Sequence, residues 1–111
     1  MKTIDLSTKN FTKLDSINSR NGVALKDCDG MSIAVKKLAT GLDVDDKGKE
    51  RSVGVIVSTD DEYYTTISES ACDIIEEAME LVDSGMNLEM RVTKRTSKND
   101  REFIAITVIE K

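Results

Sequence analysis

Residues 68–85 read SESACDIIEEAMELVDSG, and this stretch decides the fold class. Ile74, Ile75, Ala78, Leu81 and Val82 recur at i, i+1, i+4, i+7 and i+8, the stripe of an amphipathic helix. Asp73, Glu76, Glu77, Glu80 and Asp83 occupy much of the remaining surface. Ser70-Ala71-Cys72-Asp73 has capping-box spacing with Asp in place of the usual Glu, and Gly85 is a natural C-terminal stop. A helix over 70–84 follows, the one long helical pattern in the chain.

Working outward, both flanks read as strands. Upstream, the turn signals Asn21-Gly22 and Asp29-Gly30 bracket Val23-Ala24-Leu25-Lys26. Met31 to Ala39 alternates between apolar and polar residues, and Val53, Val55, Ile56 and Val57 form a β-branched run typical of an interior strand. Tyr63 to Ile67 is also β-favouring, behind a turn at Asp60-Asp61. Downstream, Leu88, Met90 and Val92 alternate with Glu89, Arg91 and Thr93. Residues 103–109 then read FIAITVI, almost continuously apolar. Between these two strands lies the polar segment 96–100, in which Asn99-Asp100 suits the left-handed backbone of a hairpin turn. The order strand, strand, strand, helix, strand, strand matches an α+β fold of OB type. That is a five-stranded β-barrel with one helix between strands 3 and 4. A generic antiparallel sheet covered by one helix fits the same pattern, and the sequence leaves both open.

The chain has 111 residues, which sets an expectation of a single domain over 1–111. Residues 1–20 read as a peripheral or flexible segment, with Leu6, Phe11, Leu14 and Ile17 approximating a loose helical stripe. The opening MKTIDLS carries no apolar signal stretch, and no apolar run approaches the ~18 residues of a membrane span. Cys28 and Cys72 are therefore expected as free structural thiols in a reducing, cytoplasmic setting. The segment Asp43 to Glu50 resembles a calcium loop. Aligned from Asp43, however, it puts Lys47 at position 5 and Gly54 at position 12, so it reads as a polar connector and no metal is expected.

Histidine is absent, which removes Ser-His-Asp and Cys-His catalysis and His-ligated metal chemistry. No phosphate-cradling glycine motif or nucleophile elbow is present, so neither catalysis nor a cofactor is expected. The net charge of −5 argues at first sight against nucleic acid. Charge is segregated, however: residues 59–90 hold ten acids and no base, while residues 91–101 hold five cations against Asp100 alone. Exposed charges farther apart than a Debye length of about 8 Å are largely screened, so a basic face can coexist with an acidic one.

The basic run is Arg91, Lys94, Arg95, Lys98 and Arg101 on one predicted hairpin, with Thr93, Thr96 and Ser97 among them and Phe103 at its base. Such a ribbon can track a phosphate backbone while an aromatic ring stacks on bases. Tyr63 and Tyr64, adjacent in a strand, must face opposite ways, so at least one is expected on the surface. An alternative starts from the acidic helix face, where Asp73, Glu76, Glu77, Glu80 and Asp83 could dock a basic protein partner or imitate a run of phosphates.

The stretch from Gly54-Val-Ile-Val through Tyr63-Tyr64-Thr-Thr-Ile-Ser68, the helix after it, and Thr96-Ser97-Lys98 with Arg101-Glu102-Phe103 resemble a known family. They are similar, over roughly residues 51–109, to the small single-stranded-DNA-binding proteins of phages and mobile elements. The resemblance implies an OB-type fold and cooperative or oligomeric coating of single-stranded DNA. It also implies a part in replication or recombination alongside proteins of those processes. Carried over by position, it implies stacking by Tyr63 or Tyr64 and Phe103, and phosphate contacts by Lys94, Arg95, Lys98 and Arg101.

Overall fold

The computed structural model describes residues 2–111. Among these residues seven strands and two α-helices form in the order β1 (Lys2–Ser7), α1 (Lys13–Asn18), β2 (Val23–Ala24), β3 (Ser32–Val44), β4 (Glu50–Ser58), β5 (Tyr63–Thr66), α2 (Glu69–Asp83), β6 (Leu88–Thr96) and β7 (Glu102–Glu110), with short 3-10 helices at Ser19–Asn21 and Leu25–Asp27. The sheet order is β2-β5-β4-β3-β6-β7, with β1 added to β3. Thirteen-residue β3 organises the sheet. Ser32 to Ala34 pair with β6, whereas Ala39 to Asp43 pair with β1, and β4 runs along the other edge from Val35 onward. The register shifts between Val35 and Lys37, a bulge that bends the strand and curls the sheet into a half-barrel.

The expected five strands with a helix between the third and fourth are corrected here: seven strands form, and α2 lies between β5 and β6. Two causes account for this. Ile4 and Leu6 alternate with Thr3, Asp5 and Ser7, a pattern overlooked because it is only two apolar residues long, and these residues pair along a backbone edge that β3 leaves open. Tyr63 to Thr66 is a full member of the sheet between β4 and the short β2, not merely a β-favouring lead-in to the helix. The loose stripe in residues 1–20 is likewise no helix face. Leu6 lies in a strand, Leu14 and Ile17 are 65% and 48% exposed, and only Phe11 packs inward. Met1 falls outside the described residues.

Both faces of the sheet are covered. On one, Ala71, Ile75, Ala78 and Met79 of α2 pack on Leu38, Ile56, Met90, Val92, Ile104 and Ile106, with Leu25 and Tyr64 completing the core. On the other, Ala39, Val55 and Val57 are covered by Ile4, Phe11 and Tyr63. This explains why the β-branched run of β4 is buried on every residue from Val53 to Ser58. The helix sits close to β4 because Gly54 offers no side chain. A Cβ there would lie 2.8 Å from Ile75 Cδ1 and 3.1 Å from Cys72 Sγ. Gly41 does the same for β1, since a Cβ would overlap the Thr3 carbonyl.

Helix α2 is capped by Ser68 rather than Ser70: the Ser68 hydroxyl accepts from the Ala71 amide, and Ser70 falls in the first turn. Its end is as the sequence indicates. Gly85 takes φ +92°, and the Met86 and Gly85 amides donate back to the carbonyls of Leu81 and Val82. The polar connector joins β3 to β4, and the Asp45 carboxylate is taken up by the amides of Lys47 and Lys49 within it.

Candidate nucleic-acid interface

The β6–β7 hairpin is closed by a five-residue turn. The Ser97 amide donates to the Arg101 carbonyl at 2.8 Å, and Asp100 takes the left-handed φ of +57° that its side chain tolerates. Strand alternation then sorts the predicted cations. Leu88, Met90 and Val92 point into the core, so Glu89, Arg91, Thr93 and Arg95 point outward. The register places Arg95 directly across from Phe103 and Arg91 across from Thr107. Directly opposed Cβ atoms in such a ladder are about 5 Å apart, so a guanidinium and an aromatic ring share one patch. Phe103 is 39% exposed, and Arg91, Arg95, Lys98 and Arg101 are exposed and form no ion pair among the described residues.

Lys94 takes the other face. Its ammonium is 3.0 Å from Glu102 Oε2, and the hydrogen bond to that carboxylate, with the nearby charges of Glu102, Asp27 and Asp29, raises its pKa. Its amide donates to Asp29 Oδ1 at 2.9 Å. The five expected cations therefore divide into four that face solvent and one bound to an acid.

The tyrosines lie elsewhere. Tyr64 is in the core, its hydroxyl donating to Glu62 at 2.9 Å and its pKa raised by burial and by that carboxylate. Tyr63 is half-buried on the opposite face, its hydroxyl donating to Asp15 Oδ1 at 2.7 Å. The structure does not bring either ring beside Phe103.

Asp15 is missed by the sequence reading, although it stands at capping-box spacing from Thr12 and forms that box in the structure. It is an acid on a short helix, yet its side chain is 6% exposed. It receives Lys37 Nζ at 2.7 Å, the Thr12 amide at 2.8 Å, the Thr12 hydroxyl at 3.0 Å and the Tyr63 hydroxyl. Burial pushes its carboxyl up, but these donors, Lys37 foremost, outweigh that and hold it at about 2. This network fastens α1 and the segment around it over the second face of the sheet.

The acids of α2 face solvent, as the helical stripe predicts. Two of them serve the fold: Glu76 accepts from Thr40 Oγ1 at 3.1 Å and Asp83 from the Lys9 amide at 2.8 Å. The helix meets β7 at Ile106 to Val108, beside Ile74, Glu77 and Leu81. The hairpin turn begins five residues away, about 17 Å along a strand. That exceeds the Debye length, so the acidic patch at this contact leaves the potential of the basic tip largely intact. Both thiols are buried and unbridged. Burial, then Asp73, Glu76 and Glu69, push Cys72 up to about 11, while burial and Asp27 raise Cys28.

One feature could not be read locally. β7 does not pair with the β2–β5 end of the sheet, and between them opens a groove of about 500 Å³. Lys26 and Ile67 border it together with Lys94, Phe103 and Ile104. Ile67 reads in sequence as the last residue of a strand, but it lies beyond β5 and is 61% exposed.

A family model described as Phage Single-stranded DNA-binding protein matches residues 3–109. No curated protein and no solved structure matches the chain. The family match spans nearly the whole sequence, and the chain belongs to the phage single-stranded DNA-binding protein family. Among the described residues, no helix is long and apolar enough to cross a membrane.

Proposed function

We propose that this member of the phage single-stranded DNA-binding family holds its strand on the outward face of the β6–β7 hairpin, with little sequence preference, during phage replication. The observation that carries this reading is the face itself: Arg91, Arg95 and Phe103 project from one side, and Lys98 and Arg101 extend the charge around the turn. Guanidinium groups grip phosphate oxygens in a bidentate manner and an exposed ring stacks on any base. Phosphate contacts and ring stacking carry little base preference, which fits a sequence-tolerant binder.

The five strands β3 to β7 would be the OB-type strands, with β3 pairing to both β4 and β6, while β1 and β2 are additions to that core. The chain would act as one domain in the reducing cytoplasm of the infected cell, which suits two unbridged thiols.

Titration of labelled oligo-dT at two salt concentrations tests this. Four phosphate contacts on a single strand give a log–log slope of about −3, a loss of about 50-fold between about 50 and 200 mM salt. Lys98→Ala with Arg101→Ala is expected to flatten that slope by about 1.4, and Phe103→Ala to weaken binding without changing it. Absence of binding at micromolar protein and low salt would refute the proposal.

A further inference from the structure

We infer that the groove between β5 and β7 receives one nucleobase of the bound strand. This rests on the hairpin reading above but concerns residues outside its cationic face. The groove is lined by the apolar Leu25, Ile67, Phe103 and Ile104 and by the charged Lys26, Lys94 and Glu102. Its volume of about 500 Å³ is in the range of sites that enclose small organic ligands.

Three features select a nucleobase over a purely apolar occupant. The first is backbone polarity. In the β6–β7 ladder the hydrogen-bonded pairs alternate, and Ser97–Arg101 and Asn87–Lys111 are bonded pairs at its two ends. The even-numbered residues of β7 therefore turn their N–H and C=O away from β6, and β7 has no other partner strand. Ile104 thus presents an adjacent donor and acceptor at the groove. Every base edge carries donors or acceptors that can meet such a pair, so no one base is selected. The second is charge: Lys26 and Lys94 line the groove and can meet the phosphates flanking an inserted base. The Lys94–Glu102 pair is exposed on both sides, so exchanging carboxylate for phosphate costs little. The third is continuity, since Phe103 belongs both to the outward hairpin face and to the groove wall. A strand crossing the hairpin turns into the groove at that ring.

The chain has no tryptophan, so Ile67→Trp at this exposed position installs a single indole reporter in the groove wall. Binding is followed independently by anisotropy of a labelled strand. Oligo-dT is expected to quench the indole on binding, while a strand of abasic deoxyribose phosphates of equal length leaves it unchanged. In the otherwise native chain, Lys26→Ala is expected to weaken oligo-dT binding several-fold and flatten the salt slope by about 0.7, the share of one phosphate. Strand binding with no indole quenching, or equal quenching by the abasic strand, overturns base insertion and leaves the hairpin reading standing. Failure of the native chain to bind oligo-dT at all overturns both.

Discussion

Asp15 gives the sharpest test of how this fold is held together. The perturbation is Asp15→Asn, which keeps the shape of the side chain and removes its charge. In the native protein the carboxyl titrates at about 2 against an ordinary value of 3.8, a gap equivalent to about 2 kcal/mol of folding stability at neutral pH. The folded pKa lies below the unfolded one, so this contribution is complete above about pH 5. It is about half gone at pH 3 and nearly gone by about pH 2. The variant also leaves the Lys37 ammonium, 15% exposed, without its carboxylate, which adds to the cost. Urea denaturation followed by circular dichroism is expected to show the variant about 3 kcal/mol less stable at pH 7. At pH 3 the deficit should be about 1 kcal/mol smaller, because the native chain has by then lost part of what the variant never had. An equal deficit at the two pH values, or one below about 0.5 kcal/mol at pH 7, would refute the claim that an ionised Asp15 organises this network.

Other consequences follow from single positions. Gly41→Ala should push β1 off β3, seen as faster amide hydrogen exchange in residues 3–7 while the amides of β4 and β6 keep their protection. Gly54→Ala forces a Cβ against Ile75, Cys72 and Thr66 and should cost about 1–3 kcal/mol in thermal or urea unfolding. Cys72, at about 11, is overwhelmingly protonated at pH 8 and buried, so an aromatic disulfide reagent should label it only as the protein unfolds. Rapid stoichiometric labelling of Cys72 in the native state would contradict its placement. Glu102→Gln releases Lys94 from its ion pair and should tighten oligo-dT binding by a few-fold at low salt, with the gain fading as salt rises.

The helix and the hairpin were legible in the sequence because each is specified by local periodicity: Ile74, Ile75, Ala78 and Val82 of the helical stripe pack on the core, though Leu81 is exposed, and Leu88, Met90 and Val92 alternate toward one face. The turn at Asp100 was legible for the same reason, since a short polar side chain marks a left-handed backbone. The N-terminal strand was missed because its alternation rests on Ile4 and Leu6 alone, and the edge of β3 that pairs with it exists only after the chain has folded. The fates of the tyrosines depend on contacts across the sequence. Tyr63 meets Asp15 across 48 positions, and no local pattern anticipates a hydrogen bond at that separation. The groove escapes for the same reason: it is the gap between two strands that do not pair.

The N-terminal additions bear on where a strand can lie. In an OB-type barrel the face of the second and third strands ordinarily carries the nucleic acid. On the assignment proposed above, those strands are β4 and β5. Their outer face is covered by Phe11 and Ile4 over Val55 and Val57, with Tyr63 turned inward to Asp15. Opening that face would mean exposing an apolar cluster and breaking a carboxylate–ammonium pair nearly out of reach of water, both unfavourable. On the proposed reading a strand lies along the hairpin and the seam beside it, where Arg95, Lys98 and Arg101, the exposed Phe103 and the outward backbone groups of β7 occur together. The charge pattern points the same way. A net charge of −5 describes no single surface, because its acids are concentrated on α2 and around it while the hairpin tip is cationic. On the proposed reading, an anionic strand is repelled from the acidic helix and drawn to the basic turn, so the excess of acid helps orient the encounter.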